Sequence, residues 1–470
     1  MAKVKSKYVC QSCGYETAGY LGKCPECGSW GTFVEETDIP VIKDVQIPDN
    51  CPPMKLNEIE MNSEIRMSTN ISEFDRVLGG GKCIGSAGDS TDKACQGIVQ
   101  GSLVLIAGDP GIGKSTILLQ TSGELCKNNK KVLYVSAEES AGQIKLRAER
   151  LGVKSDNLYI YPQTNLELIK KHIEEMKPDL VIVDSIQAVY TSAIQSSAGS
   201  VSQIRECCNT LMHIAKTQNI SIIVIGHVTK EGNIAGPKVL EHMVDTVIQF
   251  EGDKYKSYRI LRSIKNRFGN TSEVGIFEMG SKGLTEVINP SELFLKEYNQ
   301  TQTPGSTIIV TSEGTRPLLV EIQALVGTTP YPAPRRVANG VDTGRVLQIL
   351  AVLEKRIGLN LSKQDVYVNV IGGIDVNEPA ADLGIALAIV TCVRDVVFDS
   401  HTAIVGEIGL SGEIRAVNHI ERRITEAQKL GFKRIIIPAA NEIQENIEGI
   451  EVIKVKKILE AITRGVRHDN

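Results

Sequence analysis

The chain has 470 residues, which at about 150 residues per domain implies roughly two to four domains. Its composition, 42% hydrophobic and 23% charged, is that of a globular protein with a sizeable core. A formal net charge of −4 excludes a wholesale basic coat for nucleic acid, and aromatics at 4% leave few surfaces on which bases can stack. No apolar run reaches the ~18 residues of a membrane span, and the N-terminal MAKVKSKYVCQSCG lacks the apolar centre of a secretory leader. A cytoplasmic protein without membrane contact is expected.

Four of the 11 cysteines sit in two knuckles, Cys10-x-x-Cys13 and Cys24-x-x-Cys27. Each knuckle turns two thiolates toward one ion, and four soft thiolates in a tetrahedron suit Zn²⁺, with an iron–sulfur centre as the alternative. Gly14 and Gly28 directly follow the second cysteine of each pair and supply permissive backbone. Residues 1–35 are too few to bury a core, so the metal would supply the folding free energy of this ribbon. Lys3, Lys5, Lys7 and Lys23 leave DNA and protein contact equally open. Cys51, Cys83, Cys95, Cys126, Cys207, Cys208 and Cys392 are scattered and read as packing or surface thiols. Residues 36–60, with Pro40, Pro48, Pro52 and Pro53 among polar residues, read as a linker.

Residues 61–284 alternate short β-branched apolar runs with amphipathic stretches, the pattern of a mostly parallel sheet covered by helices. The segment 82–96, rich in Gly, Ser and Asp, reads as a surface loop insertion. Gly108-Asp109-Pro110-Gly111-Ile112-Gly113-Lys114-Ser115-Thr116 follows the strand LVLIA and precedes a helix, the setting that a phosphate-binding P-loop requires. Its glycines let backbone N–H groups close around phosphates. Lys114 would neutralise the β- and γ-phosphates of ATP, and the Ser115 hydroxyl would bind Mg²⁺. Asp184, ending LVIVD, suits a carboxylate that holds Mg²⁺ through its water shell. Of Glu138 and Glu139 at the end of the next strand, Glu138 is preferred as the group that polarises the attacking water. His227 ends the strand IIVIGH, where either a γ-phosphate sensor or a structural contact would sit.

The zinc knuckles, the P-loop and the string Lys265-Asn266-Arg267-Phe268-Gly269 occur in one order that resembles the RadA family of bacterial DNA-repair ATPases. That resemblance covers nearly the whole chain and implies a RecA-like core in a homo-hexameric ring. It also implies ATP hydrolysis coupled to movement on single-stranded DNA, branch migration of recombination intermediates and a RecA-type recombinase as partner. Both single-stranded and branched DNA would be bound without sequence recognition. DNA contact would fall on residues 190–203 and 229–238, with Lys230 and Lys238 following phosphates. Lys265 and Arg267, two apart, share one strand face and could reach either a neighbour's γ-phosphate or DNA. The 82–96 segment departs from the family pattern.

After a second linker at 285–304, residues 305–470 resemble the proteolytic domain of Lon, an α/β domain. Lon-type enzymes use a Ser/Lys dyad. The stretch Glu378-Pro379-Ala380-Ala381-Asp382 places Ala380 where the serine would stand, and Glu421 falls where the lysine would follow. The domain therefore reads as catalytically inactive, kept as a ring scaffold and duplex contact. Arg335, Arg336, Arg345, Lys355, Arg356, Arg415, Arg422 and Arg423 are its candidate basic surface. A KaiC-like switch that signals through protein partners is the second reading of the core. It accounts for neither the four-cysteine ribbon nor Lys265–Gly269.

Overall fold

The computed structural model describes residues 5–10, 15–26, 28, 30–38, 66–79, 96–227, 239–252, 258–295, 303–372, 374–443 and 447–465. Cys13, Cys27, Cys51, Cys83, Cys95, Lys230, Lys238 and all of the 82–96 insertion but Gln96 lie outside them. The chain forms two compact units, Met1–Val287 and Ile288–Asn470.

The first unit opens with a three-stranded antiparallel ribbon, β1 (Lys5–Cys10), β2 (Glu16–Thr17) and β3 (Phe33–Asp38), in the order β2-β1-β3. Its small core joins Cys10, Cys24 and Phe33. Strand β3 continues through Asp38, three residues into the stretch that reads as linker. Next come β4 (Arg66–Met67), helix α1 (Ser72–Leu78) and β5 (Ile98–Val99), which pairs with β4.

The main sheet then builds from β6 (Leu103–Gly108), α2 (Lys114–Lys127), β7 (Val132–Ser136), α3 (Ala141–Arg150), β8 (Leu158–Pro162), α4 (Leu166–Met176) and β9 (Leu180–Asp184). It continues through α5 (Val201–Gln218), β10 (Ser221–His227), α6 (Val239–Met243) and β11 (Thr246–Glu251). Strands β6 to β11 are parallel wherever they pair with one another, because a helical crossover joins each to the next. Helix starts are chemically marked: Ser140 and Gln143 form a capping box, and Asn165 and Ser200 cap α4 and α5. The strands are apolar on both faces. Ile106, Tyr134 and Ile182 join one buried cluster, while Leu105, Val135 and Val183 join the other. Burial pushes the Cys207 and Cys208 thiols up to about 12, so both act as inert apolar packing.

Three further strands, β12 (Tyr258–Asn266), β13 (Val274–Gly280) and β14 (Gly283–Glu286), extend the sheet as an antiparallel meander. The full order is β14-β13-β12-β11-β6-β10-β9-β7-β8. The apolar-run reading of the sequence stops at Gly252 because β12 carries arginines at Arg259 and Arg262, which interrupt its apolar alternation.

The second unit begins with α7 (Pro290–Phe294), so a helix lies inside the stretch 285–304 that reads as linker. It continues with β15 (Ser306–Glu313), β16 (Arg316–Thr328), β17 (Arg336–Asn339), α8 (Thr343–Val352), β18 (Gln364–Val370), α9 (Asp382–Arg394) and β19 (Thr402–Ile404). A small pair, β20 (Glu407–Ile408) and β21 (Ile414–Arg415), leads to α10 (Ile420–Lys429), β22 (Arg434–Pro438), β23 (Glu451–Val455) and α11 (Ile458–Gly465). The mixed sheet has the order β17-β18-β16-β15-β19-β22-β23.

Two of the arginines read as basic surface are committed inside this unit instead. Arg423 is 1% exposed and donates to the Val310 carbonyl at 2.7 Å and to both carboxylate oxygens of Glu378. Arg345 donates to Asp382 at 2.9 Å. Glu378 also accepts from the Ser312 N–H at 2.8 Å, so one carboxylate ties β15, α10 and the turn before α9 together. Removing one partner of a buried pair costs about 3 kcal/mol because the other is left desolvated. Arg423→Ala should therefore lower the opening free energy of β15 and α10 by about 3 kcal/mol in hydrogen exchange on the full chain. Arg422→Ala, on the exposed face, should change it by less than about 0.5 kcal/mol.

Candidate active site

The loop from Gly108 to Gly113 joins the C-terminal end of β6 to the N-terminus of α2. Gly111 and Gly113 take φ of 78° and 123°, backbone that side chains rarely adopt. The loop leaves unpaired N–H groups of the first turn of α2 around an anion-sized space. Lys114 is 4% exposed and donates to the carbonyls of Gly108 at 2.6 Å and Asp109 at 2.8 Å. Burial pulls its pKa down to about 8, against the opposing pull of Asp184, Asp109 and Glu138.

A cavity of about 490 Å³ opens over this loop and is lined by Lys114, Ser115, Glu138, Asp184, Arg147 and Arg259 among others. The C-terminal ends of β6, β7 and β9, where open α/β sheets take ligands, deliver Lys114, Ser115, Glu138 and Asp184. The two candidate carboxylates after β7 differ in company. Glu139 is ion-paired with Arg147 of α3, whereas Glu138 accepts from the Ser185 hydroxyl next to Asp184. Asp184 accepts from the Tyr134 hydroxyl at 2.6 Å. The Ser115 hydroxyl and the Asp184 carboxylate are hard oxygens in one wall of the cavity, the donor set for a Mg²⁺ that keeps several waters. Thr116 lines the same cavity. The side chain of His227 lies outside the described residues.

Four groups around this cavity escape the sequence reading. Tyr134 and Ser185 buttress Asp184 and Glu138. Arg147 reaches the site from α3, and Arg259 of β12 donates to the Ile112 carbonyl of the loop at 3.2 Å. Only Tyr134 leaves a trace in the sequence, as a phenol in an otherwise aliphatic strand whose hydroxyl must find a buried partner.

Lys265–Gly269 sits at the other end of the sheet. The Arg267 N–H donates to the Asp245 carbonyl at 3.1 Å, and the Asp245 N–H donates to the Leu103 carbonyl at 3.0 Å, so Arg267 is level with the start of β6. That is five residues before Gly108, roughly 17 Å along the strand. Lys265 turns to the end of α6 and donates to the carbonyls of Glu241 at 2.7 Å and Val244 at 2.8 Å. Burial, with Arg267 alongside, lowers the pKa of this half-exposed ammonium. Arg267 pairs with Asp245 at 3.3 Å. Asn266 points to the opposite side and donates to the Leu78 carbonyl at 2.9 Å. A Cβ on Gly269 would lie 3.0 Å from the Cα of Gly79, so the close approach of these two backbones needs glycine.

In the ribbon, Cys10 and Cys24 are 0% and 1% exposed and share one cluster, with the Gly28 N–H donating to the Cys24 carbonyl at 2.9 Å. Two thiols facing one small core, one from each knuckle, fit a four-thiolate Zn²⁺ site. Among the described residues no group of three metal-ligating side chains occurs. In the second unit Ala380 is 2% exposed, in a 3₁₀ turn packed near Ile420 and Ile424. Glu421 lies in the first turn of α10 beside Arg422 and Glu442. A methyl group and a carboxylate supply neither nucleophile nor amine base.

The chain is 51% identical over 469 residues to a protein named DNA repair protein RadA from Bacillus subtilis (strain 168), covering 98% of this chain and 99% of that one. It is 51% identical over 472 residues to the protein of that name from Listeria monocytogenes serovar 1/2a, covering 99% and 100%. It is 48% identical over 469 residues to the Streptococcus pyogenes serotype M1 protein of that name, covering 98% and 100%. The chain belongs to the RadA family. Family models match as an AAA domain over residues 83–233, a rubredoxin metal binding domain over 8–35 and subunit ChlI of Mg-chelatase over 343–441. The core is thus that of an ATPase, preceded by a zinc ribbon and followed by a Lon-like domain. A solved structure titled ATPase Domain of G40P matches 40% of this chain and 86% of its own at 15% identity, with a TM-score of 0.34, too loose a superposition to fix a fold. Among the described residues no helix is long and apolar enough to cross a membrane.

Lys114 generates a pH prediction. Its charged form is the one that holds phosphates, and the free protein loses that proton as pH rises through about 8. Below that pH the dependence is absent; above it, binding must first restore the proton. Affinity for a non-hydrolysable ATP analogue should fall about tenfold from pH 7 to pH 9, with proton uptake in calorimetry across buffers of different ionisation enthalpy. Lys114→Met should bind weakly with neither feature.

Proposed function

We propose that the chain is an ATP-driven DNA motor of recombinational repair, hydrolysing ATP as it moves along single-stranded DNA and promoting branch migration. In this reading the loop Gly108–Thr116 binds ATP and Lys114 neutralises its β- and γ-phosphates. Ser115 and Asp184 hold Mg²⁺, directly and through water, and Glu138 polarises the attacking water. The metal supplies charge neutralisation at the transferring phosphoryl group. Cys10, Cys13, Cys24 and Cys27 bind Zn²⁺.

The observation that carries the reading is the position of Lys265 and Arg267. They lie level with the start of β6 while the P-loop follows its end, so they are out of reach of the nucleotide in their own subunit. In this reading the basic pair serves a neighbouring copy's γ-phosphate in the ring, or the DNA, rather than its own nucleotide. That two full-length relatives carry the name DNA repair protein supports DNA as the track. The homo-hexamer, the recombinase partner, the cytoplasmic location and the phosphate contacts of Lys230 and Lys238 belong to the same proposal. In it the Lon-like domain serves assembly and duplex contact.

Single-stranded DNA should raise ATP turnover several-fold, and the protein should extend heteroduplex from a three-strand recombination intermediate only with hydrolysable ATP. Lys114→Ala should lower turnover by ~100-fold or more and abolish extension. An active ATPase indifferent to single-stranded DNA in both assays contradicts the motor and favours a nucleotide-dependent switch.

A further inference from the structure

Tyr134 sits in the middle of β7 with its side chain 1% exposed. Strands β7 and β9 run parallel, with Tyr134 opposite Ile182 and Ser136 opposite Asp184. Residues two apart on a strand share a face, so Tyr134 and Asp184 lie on one face, two rows apart. Tyr134 and Ile182 indeed join one apolar cluster with Ile117 and Leu118 of α2. Two rows of strand span roughly 6.6 Å, about the reach of a tyrosine from Cα to hydroxyl. Lying along the sheet beneath α2, the phenol therefore arrives at the row of Asp184, where it donates to Oδ2 at 2.6 Å. The side chain of Ser115 acts on the same hydroxyl and opposes the rise in its pKa that burial and Asp184 cause.

A buried phenol needs a polar partner, and a backbone carbonyl would satisfy it. Here its partner is Asp184, with Ser115 beside it, the two groups assigned to the cation. We propose that Tyr134 is the positioning residue of the metal site, its hydroxyl joining Ser115 and Asp184 into one chain that fixes their mutual orientation. The inference rests on the Ser115 and Asp184 roles given under the proposed function. With the Ser115 lone pairs turned to a cation, its single proton is given to the Tyr134 oxygen. The Tyr134 proton goes to one oxygen of Asp184, which leaves the other for the cation's water shell. Tyr134 touches neither metal nor nucleotide, as outer-shell partners do.

The test uses the full-length protein with Mn²⁺ as probe, titrated by electron paramagnetic resonance in the presence of a non-hydrolysable ATP analogue. Tyr134→Phe keeps the ring and the apolar contacts. It should weaken Mn²⁺ about tenfold while metal-free ADP affinity and hydrogen exchange in β7 stay at wild-type values. Asp184→Asn, run in parallel, should weaken Mn²⁺ at least as much, and the double variant should be no worse than Asp184→Asn alone. Additive losses, or wild-type Mn²⁺ affinity in Tyr134→Phe beside a weakened Asp184→Asn, overturn the role of Tyr134. Wild-type affinity in Asp184→Asn overturns the metal-site reading beneath it.

Discussion

The carboxylate of Asp245 is the point on which the ATPase core hangs. Its side chain is 2% exposed and accepts from the Leu103 N–H at 3.0 Å, from Lys216 at 2.8 Å and from Arg267 at 3.3 Å. Leu103 begins the strand whose far end becomes the P-loop, so one buried anion fixes the origin of that strand and the place of Arg267. A buried charge with three donors is satisfied, and the Leu103 N–H and Lys216 still hold it where the half-exposed Arg267 is removed. Parallel strands give the sheet two chemically different ends. The C-terminal end gathers Lys114, Ser115, Glu138 and Asp184 about the cavity over the P-loop, and the N-terminal end displays Lys265 and Arg267.

Strand β12 links the two ends. Near its start Arg259 is bonded to the P-loop backbone, and at its finish Lys265 holds the last carbonyls of α6. The antiparallel meander is therefore no decoration on the parallel sheet. It carries Arg259 to the P-loop and, in the proposed ring, Lys265 and Arg267 to the next subunit. The Lon-like domain shows a different economy. On either side of Ala380, Glu378 is bonded to Arg423 and Asp382 to Arg345. Hydrogen-bonded ion pairs hold the turn around Ala380.

Much of this architecture is legible in the sequence, for local reasons. The P-loop, the cysteine knuckles and the apolar strands are each written in contiguous residues whose spacing has one physical use. The place of Asp184 is legible because a carboxylate that ends a buried apolar strand stands out in the sequence, and it lines the P-loop cavity. Arg147, Arg259 and Asp245 are not, and Tyr134 shows only that its hydroxyl needs a partner, since the partners come from strands or helices distant in the chain and depend on register. The meander is hidden because Arg259 and Arg262 interrupt the apolar alternation of β12. Arg345 and Arg423 read as surface because nothing local shows that Asp382 and Glu378 lie opposite them.

The central claim is that each ATP site is completed by the Lys265/Arg267 end of a neighbouring subunit. It is tested most directly by measuring ATP turnover in mixtures of Arg267→Ala and Asp184→Ala subunits, each inactive alone. Random assembly of equal amounts pairs an intact Arg267 with an intact Asp184 at about a quarter of the interfaces, so turnover should rise toward about a quarter of the wild-type rate. A mixture in which subunits exchange freely but turnover stays at the level of the separate variants would contradict the claim.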